Sequence, residues 1–225
     1  MIETQSLSKH YTIDKRSMPV LDDISFVISQ GEFVVLEGQS GSGKSTLLSL
    51  LAGLDKPTSG RVIIDAQDIT DLSEDALAPL RNTTFGFVFQ AFHLIPSLTT
   101  LENVMFPAEL QNDRRARDKA AALLQRVGLL DRQHSLPHQL SGGEKQRCAM
   151  CRALINNPKI LFADEPTGNL DSANTKALLS LLLDLHAEHQ TTLLLATHNS
   201  EIARMANRTI TLQDGAILQD TSRAP

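Results

Sequence analysis

The apolar positions of this chain fall in short dense runs, separated by longer stretches with helical spacing. "FVVLEG" at 33–38, "KILFADEP" at 159–166 and "TTLLLATH" at 191–198 are compact apolar runs of strand length. Such runs lack the two-residue alternation of a half-exposed strand, so they predict strands buried on both faces. "GRVIIDAQDI" at 60–69 and "TTFGFVFQ" at 83–90 are strand-like too. "KSTLLSLLAGL" at 44–54 has helical periodicity and a glycine near its end, and a long helix is predicted over roughly 172–190. Strand, helix and strand in alternation predict an α/β fold built on a mostly parallel sheet with helices on both sides.

Two stretches break that rhythm. The first 30 or so residues hold short strand-like pieces, "IETQSLS" and "LDDISFVI", which predict a small antiparallel layer. Residues from about 91 to 156 are mainly helical, with "ARDKAAALLQRVGLL" the clearest helix. They lie between two core strands, so they read as an inserted helical subdomain. The core would then be 1–90 with 157–225. Neither an internal repeat nor a low-complexity segment is visible.

Composition adds mainly exclusions. A net charge of −5 with scattered basic residues is no nucleic-acid footprint. The one basic cluster, "DRRARDK" at 113–119, reads as a solvated helix face. The polar start, "MIETQSLSKHY", is not a signal peptide, and no apolar run approaches the roughly 20 residues of a spanning helix. Any membrane span would come from other chains. Cys148 and Cys151 have C-x-x-C spacing, but zinc wants four ligands and there is no second pair. On a helix they read as small packing residues in a reduced compartment.

The chemistry begins at "GQSGSGKS", which fits G-x-x-x-x-G-K-S with Gly38, Gly43, Lys44 and Ser45 in register. It follows a predicted strand and opens a predicted helix, the context in which this pattern is a phosphate loop. The glycines let backbone N–H groups wrap phosphate oxygens, and the helix start adds partial positive charge. Lys44 can reach the β- and γ-phosphates and the Ser45 hydroxyl can ligate Mg²⁺.

"ILFADE" sets Asp164 and Glu165 at the end of an apolar strand, where ligands of such sheets bind. Asp164 is then placed to hold Mg²⁺ through water, and Glu165 is a candidate general base. Gln90 and His198 also end predicted strands. Gln90 could touch Mg²⁺ or the lytic water and report the γ-phosphate to the inserted subdomain; His198 could bond that phosphate. Tyr11 could stack on a base or serve only the layer it lies in. A second Ser-Gly-Gly helix start, "LSGGEKQR" at 140–147, adds another phosphate-holding turn.

In this order, "GQSGSGKST", Gln90, "LSGGEKQR", "LFADEPTGNLD" and His198 closely resemble the ATP-binding-cassette (ABC) ATPase family, across essentially the whole chain. The resemblance implies a P-loop NTPase with a RecA-like core, an antiparallel β-subdomain and a helical subdomain. It implies that Tyr11 stacks on adenine and that Gly38, Ser40, Gly41, Ser42, Gly43, Lys44, Ser45 and Thr46 hold the phosphates. Ser45, Gln90 and, through water, Asp164 would attend Mg²⁺. Glu165 would be the base, His198 the switch histidine. Ser141, Gly142, Gly143 and Glu144 would act in trans on ATP held by a second copy, giving a head-to-tail homodimer, with Asn169, Leu170 and Asp171 as the D-loop between copies.

More finely, "DEPTGNLD" and "FHLIPSLTTLENV" resemble the lipoprotein-release, macrolide-export and predicted-permease ATPase subunits. These work beside transmembrane permease subunits, at the cytoplasmic face of the membrane. The absence of a fused membrane domain in these residues points away from the macrolide-export architecture and toward lipoprotein release or mechanotransmission. The alternatives are a signalling role like that of the cell-division relative, or a non-transport ABC ATPase. A plain P-loop kinase leaves "LSGGEKQR" unexplained. The half-apolar segment with Phe92, Leu94, Ile95 and Leu98 is either subdomain core or a dock for a membrane subunit's coupling helix. One departure stands out: Asn199 follows the switch histidine where Asp is usual.

Overall fold

The computed structural model describes residues 1–13, 16–168 and 172–222. The chain divides into two compact units, residues 1–81 with 192–225, and residues 82–191.

The first unit opens with two long antiparallel strands, β1 (Ile2–Ile13) and β2 (Arg16–Ile28). After β3 (Phe33–Glu37) and α1 (Lys44–Leu51) come β4 (Ser59–Ile64) and β5 (Gln67–Asp68), which complete a sheet of order β2-β1-β4-β5. Its strands alternate. Leu21, Ile24, Phe26 and Ile28 of β2 are buried and the residues between them are exposed, so one face is core and the other meets water. The antiparallel layer expected at the start of the chain is therefore present, but as 12- and 13-residue strands rather than short pieces. Residues 60–69 form a hairpin rather than one strand, turning at Asp65 and Ala66 with left-handed backbone (φ 50° and 63°).

β3 carries the unit's other sheet. It pairs in parallel with β8 (Thr192–Ala196) on one side and β9 (Arg208–Gln213) on the other. Phe33 to Leu36 and all of β8 are buried, as continuous apolar runs require of central parallel strands. β10 (Ala216–Ser222) folds back antiparallel on β9. A short helix, α7 (Ser200–Met205), follows β8. In sequence, α2 (Glu74–Thr84) follows β5.

In the second unit β6 (Phe85–Val88) pairs in parallel with β7 (Ile160–Asp164), with Phe85 opposite Ile160 and Val88 opposite Ala163. Between them in sequence lie α3 (Thr100–Glu109), α4 (Ala116–Arg126) and α5 (Gly142–Leu154). These three helices bury a core of their own that includes Leu101, Val104, Ala120, Leu124, Cys148, Cys151 and Ile155. α6 (Ser172–His189) follows β7, over the range the sequence predicts. Both cysteines are free and fully buried. Burial pushes the Cys148 thiol up to about 12 and raises that of Cys151 as well, so both stay protonated packing residues. Arg114, Arg115 and Arg117 are exposed, as a solvated face requires. Among the described residues, no helix is long and apolar enough to cross a membrane.

Candidate nucleotide site

In the first unit, β3 ends in a loop shaped by glycine. Gly38, Gly41 and Gly43 have φ of 153°, 83° and 100°, where a side chain is strained. Space enforces the choice at two of them. A Cβ on Gly38 would strike the Leu212 carbonyl and come within 2.5 Å of Ser42 Oγ; one on Gly43 would meet Leu21 Cδ2 at 2.6 Å. α1 starts at Lys44, and among the described residues no side chain caps it. Its first N–H groups therefore face outward as donors, the arrangement that binds anions. Lys44 is buried, and its Nζ donates to the Gly38 and Gln39 carbonyls at 2.8 and 2.9 Å. The charge thus sits in the mouth of the loop. Ser42 Oγ is buried with no hydrogen-bond partner among the described residues. A cavity of about 380 Å³ adjoins residues 38–42, walled across by Thr211 to Asp214 and Leu218. The backbone cradle, the cation and the orphaned hydroxyl fit a polyphosphate.

Tyr11 lies close to this loop, within hydrogen-bonding influence of Thr46. Its hydroxyl donates to Asp55 Oδ2 at 2.8 Å. Asp55 also accepts from Lys9 Nζ at 2.7 Å, and Lys9 Nζ sits 4.7 Å from the centre of the Tyr11 ring. Burial and the adjacent Asp55 carboxylate raise the Tyr11 hydroxyl above the ordinary tyrosine value. Burial opposes ionisation of Asp55, but the hydrogen bonds from Lys9, Tyr11 and the Lys56 N–H outweigh it, and its carboxyl is held low. The result is a half-exposed aromatic ring fixed in orientation.

His198 stands beyond the same sheet edge. Leu36 of β3 is level with Ala196 of β8, and the Thr197 N–H donates to the Leu36 carbonyl. The chain therefore reaches Gly38 and His198 after the same two further residues, on neighbouring strands. His198 is exposed. Asn199 caps α7, its Oδ1 accepting from the Glu201 N–H at 2.9 Å.

The second unit gathers the other strand-end residues. Because Val88 pairs with Ala163, Gln90 and Glu165 both lie two residues beyond paired positions at the carboxyl end of β6 and β7. Asp164 ends β7, half-buried. Glu165 has φ 44°, an uncommon conformation for a residue with a long side chain. The Gly168 N–H closes the turn on the Glu165 carbonyl at 3.1 Å. Gln90 borders that turn, since a Cβ on Gly168 would lie 3.2 Å from Gln90 Nε2. Asn169, Leu170 and Asp171 lie outside the described residues.

α5 starts at the second Ser-Gly-Gly turn with a capping box. Ser141 Oγ accepts from the Glu144 N–H at 3.3 Å, and Glu144 Oε2 accepts from the Ser141 N–H at 2.8 Å. Hydrogen bonds to the carboxylate from the Ser141 N–H and the Ser141 hydroxyl hold the Glu144 carboxyl low. Gly142 and Gly143 form the first turn, where backbone N–H groups point out of the helix. The segment before α3 divides between its two readings: Leu94 packs against the α3–α5 core, while Phe92, Ile95 and Leu98 are half-buried.

Four residues escape the sequence reading. Lys9 and Asp55 fix Tyr11, and Arg152 and Asn103 bind the backbone after Gln90. A signal existed only for Arg152, a charge set in the apolar helical run "CAMCRALI".

The sequence pattern of ABC transporters matches residues 21–168. The macrolide export ATP-binding/permease protein MacB of Syntrophobacter fumaroxidans is 47% identical over 221 residues, covering 96% of this chain and 31% of the relative. The uncharacterized ABC transporter ATP-binding protein YvrO of Bacillus subtilis is 42% identical over 222 residues, covering 98% of this chain and 96% of the relative. A dimeric ATP-binding cassette solved in a post-hydrolysis state with ADP and Pi superposes with a TM-score of 0.94 at 39% identity, each chain covered to 100%. The chain spans about a third of the length of the macrolide-export relatives it matches. Those relatives bear the export name that the sequence reading set aside, and none of them supports the lipoprotein-release expectation or the signalling alternative.

Proposed function

This chain belongs to the ABC transporter family and carries its ATPase domain, and from that premise we propose that it powers a transporter by closing head to tail with a second copy around two ATP molecules. The observation that carries the reading is the loop between β3 and α1, with its left-handed glycines, uncapped helix start and inward Lys44. In this reading Lys44 exchanges its two carbonyl partners for phosphate oxygens. Ser40, Gly41, Ser42 and Thr46 contribute backbone and hydroxyl donors, and adenine stacks on the Tyr11 face opposite Lys9. Mg²⁺ would be held by Ser45 and Gln90, with Asp164 acting through water, and would neutralise phosphate charge.

Glu165 takes the proton of the attacking water and His198 bonds the terminal phosphate. Ser141, Gly142 and Gly143 present donors to ATP held by the other copy, with Glu144 fixing their turn. Only a nucleotide with a third phosphate fills both halves, so the second Ser-Gly-Gly turn distinguishes ATP from ADP. Residues 1–90 and 157–225 serve as the nucleotide-binding core, and about 91–156 as the helical subdomain that passes motion onward.

Membrane-spanning parts outside residues 1–225 receive that motion, with this chain peripheral on the cytoplasmic face. The relatives' name favours the macrolide-export type of membrane partner over the lipoprotein-release type. Glu165→Gln tests the chemistry. Loss of a general base lowers turnover by about 100-fold or more, while ATP affinity, measured by equilibrium dialysis, holds. A variant that hydrolyses at the parental rate removes Glu165 from the role.

A further inference from the structure

The segment after Gln90 is bent against its residues' preferences. Phe92 and His93 have φ of 61° and 46°, the left-handed region that bulky side chains avoid. Such a turn persists only where its surroundings over-determine it. Two side chains do so. Arg152, near the end of α5, donates from Nη2 to the Phe92 carbonyl at 2.9 Å and from Nη1 to the His93 carbonyl at 2.5 Å. Asn103 of α3, fully buried, accepts from the Ile95 N–H at 2.8 Å and donates to the Ile95 and Leu98 carbonyls at 3.1 and 2.9 Å. At the front of the segment, the Phe89 ring stacks on Phe87 of β6 and meets the His93 ring edge-on, with centroids 5.1 Å apart.

The two clamps differ in what they join. Asn103 is eight residues from Ile95 and closes a local loop. Arg152 is 60 residues from Phe92 and sits on the helix that begins at Ser141. At 1.5 Å per residue, α5 is a rod of about 15 Å from Gly142 to Arg152. Its first turn carries the Ser-Gly-Gly donors; its last turn grips the backbone two and three residues past Gln90. A basic residue in the last turn would also suit the helix dipole from solvent. Instead this half-buried side chain spends its planar fork on two carbonyls of another segment.

We propose that Arg152 is a positioning residue: it holds the left-handed turn after Gln90 and ties that turn to the helix that starts at Ser141. Movement of the Ser-Gly-Gly end is then conveyed along α5 to the segment that sets the Gln90 side chain beside the Glu165–Gly168 turn. The fork is essential to the role. A lysine keeps the charge but replaces two donor nitrogens held in one plane with a single nitrogen on a flexible stem, so it does not reproduce the fixed fork that spans the Phe92 and His93 carbonyls. The link to turnover rests on the proposed part of Gln90 in hydrolysis; the clamp itself does not.

Hydrogen exchange of the intact chain, read peptide by peptide, tests the clamp without any appeal to ATP. In Arg152→Lys the amides of residues 91–95 exchange about tenfold faster or more, while α3 and the middle of α5 keep their parental protection. Adding His93→Gly restores much of it, because glycine enters the left-handed region without help. Steady-state hydrolysis follows the same order, with kcat down about tenfold in Arg152→Lys, partly regained in the double variant, and KM for ATP within about twofold throughout. Unchanged exchange in Arg152→Lys overturns the proposal. So does a rise spread evenly over residues 82–191 that His93→Gly does not relieve, since that marks general packing. A parent chain that fails to hydrolyse ATP would instead count against the ATPase function, with the exchange result still deciding the clamp.

Discussion

Asn199 stands directly after His198, where relatives of this motif usually carry Asp, and its side chain has visible work. Its Oδ1 caps α7 by accepting from the Glu201 N–H. Asn and Asp cap helices about equally well, so the exchange of one for the other keeps the turn that presents His198. Asn199→Asp is therefore expected to leave the melting temperature nearly unchanged and to shift the ATPase rate by only a few-fold; a change of orders of magnitude in rate would show that the missing charge matters. Most residues legible in the sequence, though not Tyr11 within β1, share a property with His198: they sit at a strand end or a glycine turn, where local pattern alone places them. Arg152, Asn103, Lys9 and Asp55 do not. Their partners are backbone carbonyls or side chains brought near by the fold, as far as 60 residues away for Arg152 and Phe92, and no periodicity records such pairings.

At the scale of elements, α5 joins two properties that can be separated by experiment. Ser141 closes the capping box, and its loss in Ser141→Ala costs about 1 kcal/mol, or roughly 2–4 °C in melting temperature for a chain of this size. If Ser141 also bonds a phosphate held by the second copy, hydrolysis falls about tenfold or more, the cost of a hydrogen bond to a charged group, while ATP binding to the single chain is untouched. A variant that loses the melting temperature but keeps its turnover confines Ser141 to capping. The elements that the hydrophobic pattern announces are those buried on both faces, β3, β7 and β8, and the amphipathic α4. α2 escapes because Pro79 and a polar composition make its stretch read as loop, although Glu74 and Asp75 stand in its first turn. β9 carries a signal that the reading passes over, since Ile210 and Leu212 are buried in alternation and an Asp214-Gly215 turn follows, whereas β10 escapes because it is largely exposed along its whole length.

Across the molecule, the candidate positions are few and are divided between the two units. The unit of residues 1–81 and 192–225 holds the phosphate loop, Tyr11 and His198. The unit of residues 82–191 holds Gln90, Asp164, Glu165 and the Ser141 helix. A single copy thus presents a phosphate cradle and, on a separate helix start, a second set of donors, which the proposed reading assigns to another copy's nucleotide. The account turns on that second copy. The most direct measurement is the solution mass of Glu165→Gln with ATP, by sedimentation equilibrium. The predicted result is a mass near twice 24.6 kDa with ATP and the single-chain mass with ADP. A protein that stays at the single-chain mass at ATP concentrations that saturate its binding would contradict the head-to-tail dimer.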